Sequence, residues 1–354
     1  MITVRTSPHV HDWVSTDKAM VMVTIALLPS ALWGVVMFGF KALLVLLVSI
    51  ISALLTEWLL GKINKENTLT DYSALVTGLL VGMNMPPEVP LFIPLIASIF
   101  AIAIVKWTFG GLGCNWANPA IAGRVFVFFS FSSLMSKFKN PWVWGSGAEL
   151  VASATPLTQV KMEIASGLSS EVIMAEAGTP VSAVASSISS LTGLSPYTVD
   201  AFFGFTGGCI GEVSALLLLA GGIFLIAKKV ISWRIPLSFI LSYALLNWVF
   251  GGVRGGNGLF SGEILLPLFS GGLMLGAFFM ATDWVTTPTT PKGEVIFAIG
   301  CGFFTFLIRC FGSLPEGVSL AILLMNMVSP TIERYCRPKK FGFVKVEKSK
   351  EAKA

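Results

Sequence analysis

The sequence predicts an all-α polytopic membrane protein with about ten transmembrane helices, arranged as two inverted five-helix repeats, some helices short or broken. Three observations predict it. Of the 354 residues, 54% are hydrophobic and 12% charged, with a mean hydropathy of +0.80; a soluble domain carries about 25% charged residues. The apolar residues gather into ten runs, five on each side of one long polar stretch, each run near the ~20 residues that cross a bilayer or somewhat shorter. Because five is odd, the second set starts from the opposite face to the first, which is the arithmetic of an inverted-topology repeat.

The elements follow in order. Residues 1–18 (MITVRTSPHVHDWVSTDK) are polar and lack the apolar stretch of a cleavable signal, so they form an N-terminal arm and the first span acts as the targeting signal. Runs near 19–38, 42–60, 72–86, 91–107 and 118–136 make the first repeat, 19–136. The 72–86 run is short and closes on MNMPPEVP, where consecutive prolines stop a helix, so a half-helix or broken helix is expected. Residues 137–202 form the polar stretch. Runs near 203–227, 235–251, 263–281, 293–311 and 317–333 make the second repeat, 203–333, and 334–354 is a basic tail.

Charge orients the spans. From Arg334 onward there are eight Lys or Arg against two Glu, and Lys62, Lys65, Lys228, Lys229 and Arg234 mark further turns on the same side; the positive-inside rule places these in the cytoplasm. Between 140 and 200, Lys161 stands alone against Glu149, Glu163, Glu171, Glu176 and Asp200, so the long loop is expected outside and both termini inside. Lys137 and Lys139 lie close enough to a span to snorkel. The net charge of +5 is explained by this distribution, and no nucleic-acid partner is expected. The five cysteines never form a Cys-x-x-Cys spacing and there are only two histidines. His9 and His11 alternate in the N-terminal arm, which is weak evidence for a ligand pair, so no metal site is expected from this chain alone.

Few residues can carry chemistry. Glu212, in GGCIGEVSALL, is followed by apolar residues and is the foremost intramembrane ionisable group. Glu57 and Arg309 lie nearer span ends, where snorkelling or pairing is expected. Lys106 and Arg124 flank the turn GGLGCNWANPA (110–120) and could anchor it at the interface. Asp283, in ATDWVTTPTTP, heads a polar segment and could cap a helix. The turn itself offers backbone groups and the Asn115 and Asn118 amides to a planar ring or cation; on the residues alone the favoured reading is a tight cytoplasmic turn with Pro119 opening a helix. VASATPLTQVK (151–161) presents a hydroxyl cluster in the loop. The residues alone thus give a transport-type fold, which an inverted-repeat channel or solute transporter without cofactor would also satisfy.

SPHVHDW, DYSALVTGLL, FGGLGCNWANPAIAGR, GCIGEVSAL, FMATDWVTTPTTPKGE and AILLMNMVSPTIERY occur in that order. Together they resemble the family of the D subunit of the Rnf complex and the B subunit of the sodium-pumping NADH:quinone reductase, over about residues 5 to 337. The resemblance implies a flavoprotein subunit of an electron-transport translocase that couples ferredoxin:NAD+ oxidoreduction to Na+ or H+ export. It would sit in a bacterial or archaeal cytoplasmic membrane, without an NAD or ferredoxin site of its own. It also implies FMN joined through a phosphoester to Thr155, attached by an external flavin transferase, with Ser153, Ala154, Pro156 and Glu149 around it. Here the family's Asp six residues before the Thr is Glu149, its preceding Ser or Thr is Ala152, and its Gly is Ser153; Thr158 and Ser153 are the fallback acceptors. A second, noncovalent flavin (riboflavin) is implied, with Asn115 and Asn118 as lining, and Glu212 as a cation or flavin contact. Partners implied are the A, B, C, E and G subunits of the Rnf complex, and membrane lipid. The ASATPL loop separates this reading from a transporter, which has no use for a flavin acceptor outside the membrane.

Overall fold

The computed structural model describes residues 15–66, 68–139, 141, 152–153, 155–163, 168–256, 258–312, 314 and 316–338. It is an all-α polytopic membrane protein. Among the described residues, four helices are long and apolar enough to cross a bilayer on their own: α1 (Thr16–Phe38), α2 (Phe40–Asn64), α4 (Phe92–Phe109) and α14 (Pro291–Cys310). The others are α3 (Ser73–Met83), α5 (Pro119–Ser130, followed by a single turn at Ser132–Met135), the loop helices α6 (Pro156–Glu163), α7 (Ser170–Glu176), α8 (Ala183–Thr192) and α9 (Pro196–Phe203), then α10 (Ala215–Ala227), α11 (Arg234–Phe250), α12 (Leu265–Phe269), α13 (Leu273–Leu275, continuing as a π-turn to Met280) and α15 (Val318–Cys336).

The starts and stops follow local chemistry. Asp71 accepts from the Ser73 N–H at 2.8 Å and fixes the entry to α3, and that helix ends at Asn84, ahead of Pro86 and Pro87. Asn118 caps α5, accepting from the Ala120 and Ile121 N–H groups, with Pro119 in the first turn. Thr290 and Pro291 open α14 in the same way. Gly110, Gly111 and Gly113 hold φ at 111°, 88° and 94°, a region that side chains oppose and glycine tolerates. That is why the turn before α5 needs three of them.

The halves pack alike. In the first, α4 lies on α2 and α5; in the second, α14 lies on α11 and α15. Equivalent segments then meet across the halves, α1 against α10 and α5 against α15. At Gly34 on α1 an added Cβ would fall 2.1 Å from the Ile210 carbonyl oxygen, so the absence of a side chain there lets α1 lie directly on the backbone of the 204–214 segment.

Two apolar runs differ from continuous spans. The run 203–227 is divided: α9 ends at Gly204 with φ +104°, residues 204–214 are unwound apart from isolated turns, and α10 starts after Ser214. The 263–281 run breaks at Ser270–Gly272 between α12 and α13. Unwound backbone at this depth persists where protein surrounds it, and here the segments lie against each other. Two extended residues, Ala152–Ser153, pair antiparallel with Phe138–Lys139, which sets the backbone just before Thr155 beside the end of the first half. The loop helices have a small core of their own: Met174, Tyr197 and Ala201 pack with Leu266 of α12.

Candidate functional site

Two of the cavities formed by the described residues are lined by residues that the sequence singles out. The larger, about 360 Å³, is within the range of small-molecule sites. Met20, Val23, Leu80, Phe278 and Phe279 give it apolar walls, and Asn115, Asn118, Lys106, Thr77 and Asp283 add polar groups. The glycine turn and the Asp283 connector come together at this end because Asn118 both caps α5 and donates to the Met280 carbonyl at 3.2 Å. Asn115 donates to the Ala117 carbonyl at 3.0 Å. Burial raises the Asp283 carboxyl above its ordinary range, partly offset by hydrogen bonds from the Val285 N–H, Thr286 and Asn115.

Lys106 and Arg124 do not anchor the turn at an interface. Lys106 is 2% exposed and meets Glu57 at 2.8 Å and the Ser73 hydroxyl at 2.7 Å. Glu57 accepts further from Trp107 Nε1 at 3.0 Å and Thr68 Oγ1 at 2.5 Å. Its burial thus comes with polar partners on both carboxylate oxygens, the condition under which a charge survives in an apolar setting. Arg124, also buried, donates to Asn84 Oδ1 at 2.6 Å, Glu212 Oε1 at 3.0 Å, Cys209 Sγ at 3.6 Å and the Glu316 carboxylate. Arg309 is buried as well and donates to the Tyr243 hydroxyl at 3.1 Å and the Pro267 and Ser270 carbonyls.

Cys209, Glu212 and Glu316 have ligand atoms within 4.8 Å of one another, a spacing that could hold a metal. All three already accept from the Arg124 guanidinium. Glu212 lies in the unwound 204–214 segment, not on a helix as its apolar context predicts. This is the geometry that lets it reach Arg124 from one chain segment while Glu316 reaches it from the α14–α15 connector. Asn84 then links this cluster to the larger cavity: it contacts Met280 Sδ at 3.7 Å, and Asn118 holds the carbonyl of the same residue.

The smaller cavity lies beside the cluster and is walled by Thr155, Thr206, Glu212, Ser270 and Glu316, among others. Thr155 precedes α6 and caps it: its hydroxyl accepts from the Thr158 N–H at 3.3 Å and sits 2.7 Å from Thr158 Oγ1. The sequence suggests an exposed hydroxyl; the structure places Thr155 at 4% exposure, because Pro156 and Leu157 dock α6 into the same cavity. Lys161 completes the docking by donating to the Ile308 and Leu314 carbonyls. Burial, then Arg254 and Arg309, press its pKa down to about 8.

A family model for NQR2, RnfD and RnfE matches residues 3–342. The chain belongs to this family. It is 41% identical over 343 residues to the D subunit of a proton-translocating ferredoxin:NAD(+) oxidoreductase complex of Clostridium ljungdahlii, covering 97% of this chain and 96% of that one. It is also 41% identical over 356 residues to the Na(+)-translocating counterpart of Acetobacterium woodii, covering 100% and 98%. The D subunit of an ion-translocating oxidoreductase complex of Stutzerimonas stutzeri is 40% identical over 337 residues, covering 93% and 92%.

Within this NQR2, RnfD, RnfE family member, the structure brings Thr155, Pro156 and Glu212 to one cavity, and Asn115 and Asn118 to the other. Ser153 is placed by its backbone pairing. Glu149, Ala154, His9 and His11 lie outside the described residues. Sequence reasoning missed Glu316, Asn84 and Ser270. A signal for Glu316 existed: it is the sole carboxylate between Arg309 and Glu333, in the short SLPEGV connector.

Proposed function

We propose that this chain is the flavin-carrying membrane subunit of a complex that couples ferredoxin:NAD+ oxidoreduction to movement of Na+ or H+ across the cytoplasmic membrane, with FMN esterified to Thr155. The other subunits of an Rnf complex are its partners and a flavin transferase its maturation enzyme. Both termini lie in the cytoplasm and the 137–202 loop outside. Relatives named for either ion are equally similar, at 41% identity, so the reading covers both.

The observation that carries the proposal is the position of Thr155. A phosphoester on an N-cap hydroxyl puts its negative charge at the start of α6, where the first backbone N–H groups lack intrahelical partners. Pro156 fixes the backbone directly after it, and Thr158 offers a second hydroxyl within reach of the same oxygen. FMN supplies electron-carrier chemistry when bound; the chain fixes where that group sits and what charge surrounds it. Because Thr155 is buried once α6 is docked, attachment precedes docking. The larger cavity is assigned to the noncovalent flavin: its apolar walls fit a flat ring system, and Asn115, Asn118 and Lys106 offer donors to a polar ring edge.

The test is in-gel fluorescence of the denatured full chain, expressed with and without the transferase, beside Thr155→Val. A fluorescent wild-type band that the substitution removes supports the assignment. A dark wild-type band in the presence of the transferase refutes it.

A further inference from the structure

The small cavity beneath Thr155 has a composition that the flavin does not use. Two broken segments form it: the unwound 204–214 stretch, contributing Thr206, Gly207 and Glu212, and the 270–272 break, contributing Ser270 and Gly271, with Glu316 closing one side. Its volume is about 10 Å³, room for one water-sized occupant. Among the described residues no Lys or Arg lines it. Arg124 is engaged with Glu212 Oε1, Glu316, Asn84 and Cys209, and the nearby Arg309 donates to Tyr243 and two carbonyls. Among the described residues, Glu212 Oε2 and Ser270 Oγ have no protein hydrogen-bond partner; each is on a residue 3% exposed and each residue is on the wall of this cavity.

We infer that this cavity binds one dehydrated monovalent cation of the size and hardness of Na+, with Glu212 Oε2 and Ser270 Oγ as side-chain ligands and carbonyls of the two broken segments completing the shell. The inference deepens the translocation reading above and rests on it for its role, though not for the binding itself. Oxygen ligands suit hard cations, whereas softer metals favour sulfur and imidazole. Broken helices that turn carbonyls toward a site near the middle of the membrane are the recurring device for holding coupling ions. Glycine at 207 and 271 lets backbone approach a small ion closely. Charge selects the valence. Arg124 and Arg309 already balance Glu212 and Glu316, so a divalent ion would leave two uncompensated charges in a low-dielectric site and a monovalent ion one. A phosphoester on Thr155, on the same wall, would balance that one.

The test is thermal unfolding of the purified full chain in NaCl, KCl and choline chloride at matched ionic strength, with direct 22Na+ binding alongside. It is run on flavin-carrying and flavin-free wild type, so a failure of the flavin assignment does not obscure the result. A stabilisation specific to Na+ that grows with the logarithm of its concentration is expected. Ser270→Ala should raise the half-saturating Na+ concentration by ~10-fold, the equivalent of one lost contact, and Glu212→Gln by more. Equal responses to the three salts, a response to pH alone, or Na+ binding unchanged in Ser270→Ala would each overturn the site. Ser270→Ala removes one hydroxyl that bonds to no protein group among the described residues, so it keeps the test valid should Glu212→Gln fail to fold.

Discussion

Replacing Lys106 by Met tests whether the buried ion pair beside the larger cavity holds the first half together. Lys106 and Glu57 are 3% and 0% exposed in their side chains and 2.8 Å apart, joining α4 to α2. Removing the ammonium leaves a buried carboxylate with two neutral donors, Trp107 Nε1 and Thr68 Oγ1. Stranding one partner of a buried pair costs ~3–5 kcal/mol, and the two remaining donors place this case near ~3 kcal/mol. Adding Glu57→Gln removes the stranded charge, so the double variant should recover to within ~1 kcal/mol of wild type, since apolar or neutral replacement of a whole pair is often neutral. The assay is a double-mutant cycle on the detergent-solubilised chain, unfolded by added denaturing detergent and followed by Trp fluorescence. A Lys106→Met cost below ~1 kcal/mol, the range of an exposed pair, or a double variant worse than the single, would refute the buried-pair argument.

Gly34→Ala should destabilise by ~1–3 kcal/mol through overpacking, because its Cβ would meet Ile210 O at 2.1 Å and Ile210 Cγ2 at 2.9 Å; an unchanged melting temperature would mean that α1 does not lie on the unwound segment. Val23→Trp should fill the larger cavity, so acid-extractable flavin should fall while the fluorescent Thr155 band persists; retention of the extractable flavin would place it elsewhere. Lys161 gives a pH dependence. Its pKa falls from 10.5 to about 8 in the folded chain, so between those values the unfolded state holds more protons and stability rises with pH. Half-exposure keeps the rise small. Comparing melting at pH 7 and 9.5, the rise should be present in wild type and absent in Lys161→Met; a rise of equal size in both would remove Lys161 from the docking of α6.

The helical plan was legible because bilayer physics writes it into composition. A span must be apolar for most of its length, and Pro86, Pro87, Asn118-Pro119 and Thr290-Pro291 punctuate it with residues whose backbone chemistry is local. The two broken runs were not legible. The runs 203–227 and 263–281 are apolar enough to read as continuous, and glycine is frequent inside membrane helices, so it does not mark their breaks. Distant partners hold their unwound backbone: in the first, the Gly211 N–H reaches the Met83 carbonyl at 2.7 Å and the Ser30 hydroxyl reaches the Gly211 carbonyl at 3.1 Å; in the second, Arg309 donates to the Ser270 carbonyl at 3.3 Å. Those partners are far away in sequence, and hydropathy carries no trace of them.

The same reasoning explains which charges were misplaced. By position alone, Lys106 and Arg124 look like interfacial anchors, since each stands close to a glycine turn and long basic side chains snorkel. Snorkelling needs a free path to water, and the Arg124 guanidinium is enclosed by Asn84, Cys209, Glu212 and Glu316, from three separate segments. A buried arginine with two carboxylates is costly to desolvate, so its presence at the meeting point of both halves points to a task other than stability. One task is to hold Glu212 Oε1 fixed while Oε2 stays available to the cavity under Thr155. If that is its role, Arg124→Lys, which keeps the charge but loses the planar fork that meets four acceptors at once, should leave Glu212 free to turn. Na+ dependence of unfolding should then weaken even where the chain still folds and flavinylates, whereas unaltered Na+ dependence in Arg124→Lys would separate the arginine from the cavity.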